Sequence, residues 1–332
     1  MSPRLCYLLT QDVEVLMGNW AHARHLSLPP SPFFDELSSD LSKDIQDAFS
    51  QVPGSEVDVE LITHDRLHRG LNELLPVGND HCLVSLDEVY VNRADYYLAI
   101  NRMVSQNGSS AWQDIKEGAR PGFPSVETQI KAIAAATKKP IVIVDDGGWT
   151  CGSLELVTRN FESQGAKVVK VVVGILIKKE NPFPLSVEVE SFLSYLEKSV
   201  KDWVCERDFF LGVPQGGRTV GFLNDFGKAV PLTPNTCVPY LLGFGHPEKW
   251  ASLDLDQNSL REFSIRCIDR SIRLFEEIEK ESGRVVAVSD IERLPYGIVP
   301  GSERFVDVLH REAKRIAGQS AEKNAVQFPR AV

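Results

Sequence analysis

Two apolar runs set the strongest limit on what this chain can become. Ile141–Val144 is a continuous β-branched run, and Val168–Ile177 is a longer one interrupted only by Lys170 and Gly174. Between them lie a polar, glycine-rich turn (Asp145 to Ser153), a stretch with helical spacing (Leu154 to Gln164) and a break at Gly165. Continuous apolar runs belong to strands covered on both faces, and two strands joined through a helix pair in parallel. The unit predicts an α/β fold, a mostly parallel sheet flanked by helices.

The flanking sequence extends this core in both directions. Phe34, Leu37, Leu41, Ile45 and Phe49 predict a helix over 33–50, and Val57, Val59 and Leu61 alternate with acids as in a half-buried strand. Cys82–Val91 reads as a second strand, able to pair with that one, and 94–104 as a helix. Gln106–Pro124 is too polar and too broken for a core and reads as a surface loop. Ser125, Thr128 and Gln129 start a helix whose apolar face holds Val126, Ile130, Ile133 and Ala134. Beyond the second apolar run, the spacing predicts helices over 187–204, 260–278 and 305–316 and a strand at Arg284–Val288, while 205–250 shows little periodicity. No internal repeat is visible. The expected organisation is one domain over 1–320, with its core at about 82–220 and α/β extensions at both ends, followed by a disordered polar tail at 321–332.

Composition excludes several classes. With 332 residues, 43% of them hydrophobic and 25% charged, the chain can bury a sizeable core and lacks the signature of disorder. No stretch approaches the roughly 18 apolar residues of a membrane span. Thirty-six Lys and Arg against 46 Asp and Glu leave a net charge of −10, which argues against affinity built on phosphate neutralisation of nucleic acid. The apolar start, Leu5–Leu9, is too short for a signal peptide, and the six cysteines form no CxxC pair, so a cytoplasmic protein with reduced thiols is expected. Among the seven histidines only His64 and His68 could share a helix face, and no metal-ligand set is predicted.

The informative chemistry lies in the turn. The first strand ends in Asp145 and Asp146, passes Gly147 and Gly148, and reaches Thr150, Cys151, Gly152 and Ser153 immediately before a helix. Unpaired amides and the positive end of the helix dipole favour a phosphate there, and two carboxylates at the carboxyl end of a parallel strand can accept hydrogen bonds from a diol such as a ribose. The bland alternative is an ordinary strand-to-helix turn whose acids cap the next helix. A thiol at such a helix start, Cys151, is expected to have a lowered pKa.

At these residues, Val142–Ser153 (VIVDDGGWTCGS) resembles the phosphoribosyl-pyrophosphate (PRPP) signature of type I phosphoribosyltransferases. The likeness covers roughly 40 residues, through the following helix and strand, and departs from the family at Cys151, where glycine is preferred, and at the bulky Trp149. It implies that Asp145 and Asp146 hold the ribose hydroxyls, that Thr150, Cys151, Gly152 and Ser153 bind the 5-phosphate, and that magnesium neutralises the departing pyrophosphate; Gly147 and Gly148, between the acids and that loop, join the substrate-binding candidates. It also places a lysine against the base in purine-type members, which suggests Lys178 and Lys179; a solvated strand end explains them equally well.

Other positions remain open between chemistry and scaffolding. Arg93 could meet a pyrophosphate or simply end a strand, and Asp87 and Glu88 could join the same site. Arg207, Asp208, Phe209 and Phe210, followed by Gln215, Gly216, Gly217 and Arg218, suit either a nucleobase pocket or a packing loop. The resemblance implies an enzyme that transfers phosphoribose between PRPP, or a nucleoside monophosphate, and a nitrogenous base. The rival is a regulator or defence-system effector with this fold that binds a nucleotide or a macromolecular partner, another copy of the chain included. An ordered base pocket opposite the Asp145 loop favours the enzyme; a basic groove or an exposed apolar patch favours the rival.

Overall fold

The motif strand occupies the middle of a five-stranded sheet. In order, the strands are Glu188–Leu196, Val168–Lys178, Ile141–Gly148, Cys82–Ser85 and Tyr96–Tyr97, and every neighbouring pair is parallel. The computed structural model describes residues 4–52, 56–106, 112–180, 185–232 and 236–318. Alternate side chains of the motif strand enter different cores. Ile141 and Ile143 pack with Ile130 and Ile133 of the helix Val126–Ala136 and with Val157 and Phe161 of the helix Gly152–Ser163, whereas Val142 and Val144 join a larger core that includes Leu67 and Leu71 of the helix His64–Glu73. Coverage on both faces is what the unbroken apolar run required.

The N-terminal extension adds a second parallel sheet, with Leu5–Thr10 between Val57–Ile62 and Val200–Cys205. The helix Ser31–Ser50 packs against it, and against the long helix Gln257–Ser282, which Asp256 caps by accepting from the amides of Asn258 and Ser259. Edge-to-face contacts Trp20–Phe275 (5.9 Å between centroids) and Phe275–Phe305 (4.8 Å) lock that layer to the last helix, Phe305–Ala317. A third, mixed sheet orders Leu294–Pro295, Thr236–Val238, Arg218–Leu223, Met103–Gln106 and Trp112–Asp114. The chain is thus mixed α/β, with several mostly parallel sheets flanked by helices. Among the described residues no helix is long and apolar enough to cross a membrane.

Several expected elements are corrected, two of them where tertiary pairing outweighs local spacing. The segment 94–104 is not a helix: Asp95 N donates to Leu83 O (2.9 Å) and Leu98 N to Ser85 O (2.8 Å), adding the chain to the central sheet's edge. The segment 187–204 is two strands, one on the edge of Val168–Lys178 and one on the edge of Leu5–Thr10, and its half-exposed positions tolerate a pattern that mimics a helix. Cys82–Val91 is a strand only to Ser85, because the Asp87 carboxylate then turns the chain by accepting from the amides of Val89 (2.9 Å) and Tyr90 (2.5 Å). That strand does not pair with Val57–Ile62, which lies in the other sheet. Arg284–Val288 makes only a single bridge, Ala287 to Arg304. The expected loop 106–124 contains the strands Trp112–Asp114 and Gly118–Ala119, and Trp112 is buried with its indole N–H donating to Phe244 O (2.7 Å); its residues 107–111, like the tail 321–332, lie outside the described residues.

Candidate active site

The carboxyl end of the motif strand opens into a cavity of about 730 Å³ that meets the three larger sheets. Its floor is the sequence motif, for Asp145, Asp146 and the residues through Leu154 line it without a gap. The strand runs on through Gly148, paired as far as Leu176, so the turn proper is only Trp149–Cys151. Gly147 has no space for a side chain, since a Cβ there would lie 2.7 Å from Ile175 O and run into the Trp203 ring. At Gly148 a Cβ would meet Cys151 Sγ at 2.8 Å.

Cys151 is the N-cap of the next helix and sits in the left-handed region, φ 56° and ψ 18°. Glycine adopts that conformation without cost, whereas a side chain there strains the backbone. No side-chain cap is made there; Thr150 Oγ1 reaches Gly152 N at 3.4 Å, and Ser153 Oγ donates to Glu117. The leading amides therefore keep donor capacity toward the cavity. The expected lowering of the Cys151 pKa is overturned. Burial pushes the thiol up to about 11, the neighbouring Asp145 adds to the rise, and Lys179 only partly offsets it.

Carboxylates crowd the floor. Burial, then Asp146 and Asp87, hold Asp145 well above the ordinary carboxylate range. Asp87 is pushed up to about 7 by burial and then by Asp146. The balancing cation is Arg207, whose guanidinium lies 2.9 Å from Asp12 Oδ2 and 3.9 Å from Asp146 Oδ2. Asp12 is fully buried and also accepts from Arg207 N (3.1 Å). The residue before Arg207, Glu206, accepts from the amides of Asp12 (2.8 Å) and Val13 (2.7 Å) and from Ser38 Oγ (2.5 Å), and burial pushes it up to about 7. The N-terminal sheet is thereby tied to the ribose-acid candidates through one half-buried arginine.

The structure gathers some of the sequence candidates and separates others. Asp145, Asp146, Gly147, Gly148, Thr150, Cys151, Gly152, Ser153 and Arg207 line one cavity, and so do Asp87, Asp208, Gln215, Gly217 and Arg218. Phe209 and Phe210 turn into the core, so the 207–218 loop serves both packing and the cavity wall. Arg93 lies elsewhere: it donates to Asn72 O (3.1 Å) and Leu75 O (3.4 Å) and borders a separate hollow of about 170 Å³. Lys178 is exposed, Lys179 pairs with Glu197 (3.5 Å), and neither lines the cavity. The Trp149 indole N–H donates to the same Glu197 at 3.0 Å.

Sequence reasoning missed the opposite wall. Arg102, Asp202, Trp203, Tyr240, Lys249 and Trp250 reach the cavity from segments read as helices or not placed at all. Only the aromatic and charged content of 205–250 hinted at them. Arg218 is held there with its guanidinium carbon 4.6 Å from the Trp250 centroid and 5.6 Å from that of Tyr240. Taken together, the cavity offers a paired-carboxylate acceptor, an uncapped helix start for an anion, and a wall of aromatic and cationic groups. No protein-family model matches the chain, and no curated protein or solved structure is significantly similar to it.

Proposed function

We propose that this chain is a phosphoribosyltransferase-like enzyme of the cytoplasm that binds PRPP or a nucleoside monophosphate and transfers phosphoribose to or from a nitrogenous base. The observation that supports this reading most is that Asp145 and Asp146 share one cavity of about 730 Å³ with Arg218, Tyr240 and Trp250, which is room for a second substrate beside the ribose. In the transfer, a ring nitrogen's lone pair forms the new bond to the anomeric carbon. The carbon–oxygen bond to pyrophosphate breaks, and pyrophosphate leaves with the electron pair. Asp145 and Asp146 accept the two ribose hydroxyls, the helix start at Gly152 and Ser153 takes the ribose phosphate, and Arg207 keeps the carboxylates compatible with one another.

The donor set fits magnesium held jointly with a substrate. Among the described residues no cluster of three metal-ligating side chains forms, while Asp145 and Asp146 present the one or two carboxylates that such a shared site uses. When bound, the ion would neutralise charge on the leaving pyrophosphate.

PRPP with magnesium should raise the melting temperature of the full chain, by an amount equivalent to about 2.7 kcal/mol at 100 times its dissociation constant. No shift with PRPP, nucleoside monophosphates or pyrophosphate would overturn the reading. The regulator or effector reading has one observation in its favour. The hairpin that joins Arg218–Leu223 to Ala229–Pro231 leaves Phe222, Leu223 and Phe226 exposed, Phe226 by 86%. Ligand binding without turnover over any tested base would favour it.

A further inference from the structure

We propose that the wall facing the motif is an acceptor subsite for a planar heterocycle carrying a carboxylate. The inference rests on the phosphoribosyl reading of the floor, and it begins from the pairing of charges. Six basic side chains line the cavity: Arg102, Arg120, Lys201, Arg207, Arg218 and Lys249. Four are already committed, Arg120 to Glu88 (3.4 Å), Arg207 to Asp12 (2.9 Å), Lys201 to Asp254 and Arg218 to Asp114. Among the described residues Arg102 and Lys249 have no carboxylate within 4 Å, and both are exposed to solvent on the cavity side.

These two cations stand among the aromatic groups. Arg102 lies beside the Tyr240 side chain, and Lys249 precedes Trp250 on the short helix Pro247–Trp250. The stacked Arg218 guanidinium and the Trp203 ring add flat surfaces on the same wall. Flat surfaces select a planar ring. A guanidinium with free donors selects a carboxylate, which it can bind through two parallel hydrogen bonds. An uncharged analogue of the same ring leaves those donors unpaired, and sites of that kind discriminate strongly against it. Arg102 and Lys249 therefore give the acceptor an anionic identity, as the floor gives the donor a ribose and phosphate identity.

The test titrates tryptophan fluorescence of the full chain with two matched pairs, nicotinate against nicotinamide and orotate against uracil, with and without PRPP and magnesium. The carboxylates are expected to bind at least about tenfold more tightly. Arg102→Gln or Lys249→Gln should bring the ratio near one, and Arg102→Lys should keep part of it. Equal affinity for charged and neutral rings, or a ratio unchanged in both glutamine variants, would overturn the proposal. Loss of PRPP-induced stabilisation in Arg102→Gln would also overturn it, by assigning that guanidinium to pyrophosphate. Should Arg102→Gln fail to fold, the exposed Lys249→Gln carries the test. A charge preference that persists although PRPP never stabilises the wild type would leave the anion subsite standing and remove the phosphoribosyl reading beneath it.

Discussion

The two faces of the cavity are built by different means. The floor is one uninterrupted segment, residues 145–154, held from below by an interior strand with parallel neighbours on both sides. The facing wall draws on Met103, Asp202, Trp203, Gly217, Tyr240 and Trp250, which come from two other sheets and the loops between them. Main-chain pairing fixes the floor, so its side chains can be functional and mutually repulsive without loss of shape. Side-chain contacts fix the wall, chiefly Arg218 over Trp250 and Arg207 against Asp12, so there structure and recognition use the same groups. The contrast teaches that substitutions on the floor should separate activity from stability, and substitutions among the wall's scaffolding contacts should not.

The largest expected effect tests that separation directly. Replacing both Asp145 and Asp146 by Asn should lower PRPP-dependent turnover by a factor on the order of 10²–10³. The melting temperature should hold or rise, because Asp145 is a half-buried carboxylate facing Asp146 and Asp87 and gains nothing from its charge in the folded chain. Wild-type turnover in the double variant would end the ribose assignment, and a large fall in melting temperature would break the contrast between the faces.

Next in size is a steric probe of where floor and wall touch. Gly147→Ala would press a methyl group against Ile175 O and the Trp203 ring, at a cost of about 1–3 kcal/mol. Gly152→Ala meets only Thr150 Oγ1 at 3.6 Å, an ordinary contact, and should fold nearly as well as the wild type. Equal melting temperatures for the two variants would mean that the strand and Trp203 do not approach as described.

Protons give a smaller effect of definite sign. Asp87 and Glu206 are held near 7 in the folded chain, whereas unfolded carboxylates titrate near about 4. Between those values the folded chain retains protons that the unfolded chain has released. The stability these groups contribute is present in full below pH 4 and is lost as pH rises through 7. The ligand-free chain should therefore melt at a lower temperature at pH 8 than at pH 5.5, and Asp87→Asn or Glu206→Gln should flatten the dependence. A melting temperature that climbs from pH 5.5 to 8 and is unaffected by either variant would contradict it.

The smallest effect concerns Cys151. With its thiol pushed up to about 11, it should react slowly with iodoacetamide at neutral pH, unlike an activated helix-start cysteine. Cys151→Gly relieves a left-handed residue but removes a buried sulfur, and the two changes, each about 1 kcal/mol, should nearly cancel. Rapid labelling would show the sulfur to be more open to solvent than its 4% exposure.

What the sequence determined by itself is the part whose physics is local. The apolar runs 141–144 and 168–177 could only be strands covered on both faces, and the acids and glycines after the first could only lie at its carboxyl end. Ser125 marks a helix start because a cap needs just one neighbouring oxygen. The tertiary structure decided everything that depends on a distant partner. It made strands of 94–104 and 187–204 by offering them sheet edges, and it raised the Cys151 pKa by burying a thiol that a helix start alone would have activated. It joined Asp12 to Arg207, 195 positions apart, and brought Arg102 to Tyr240, contacts in which Coulomb attraction offsets the cost of desolvation. Such interactions leave no periodicity in the chain, because neither partner constrains the residues beside it.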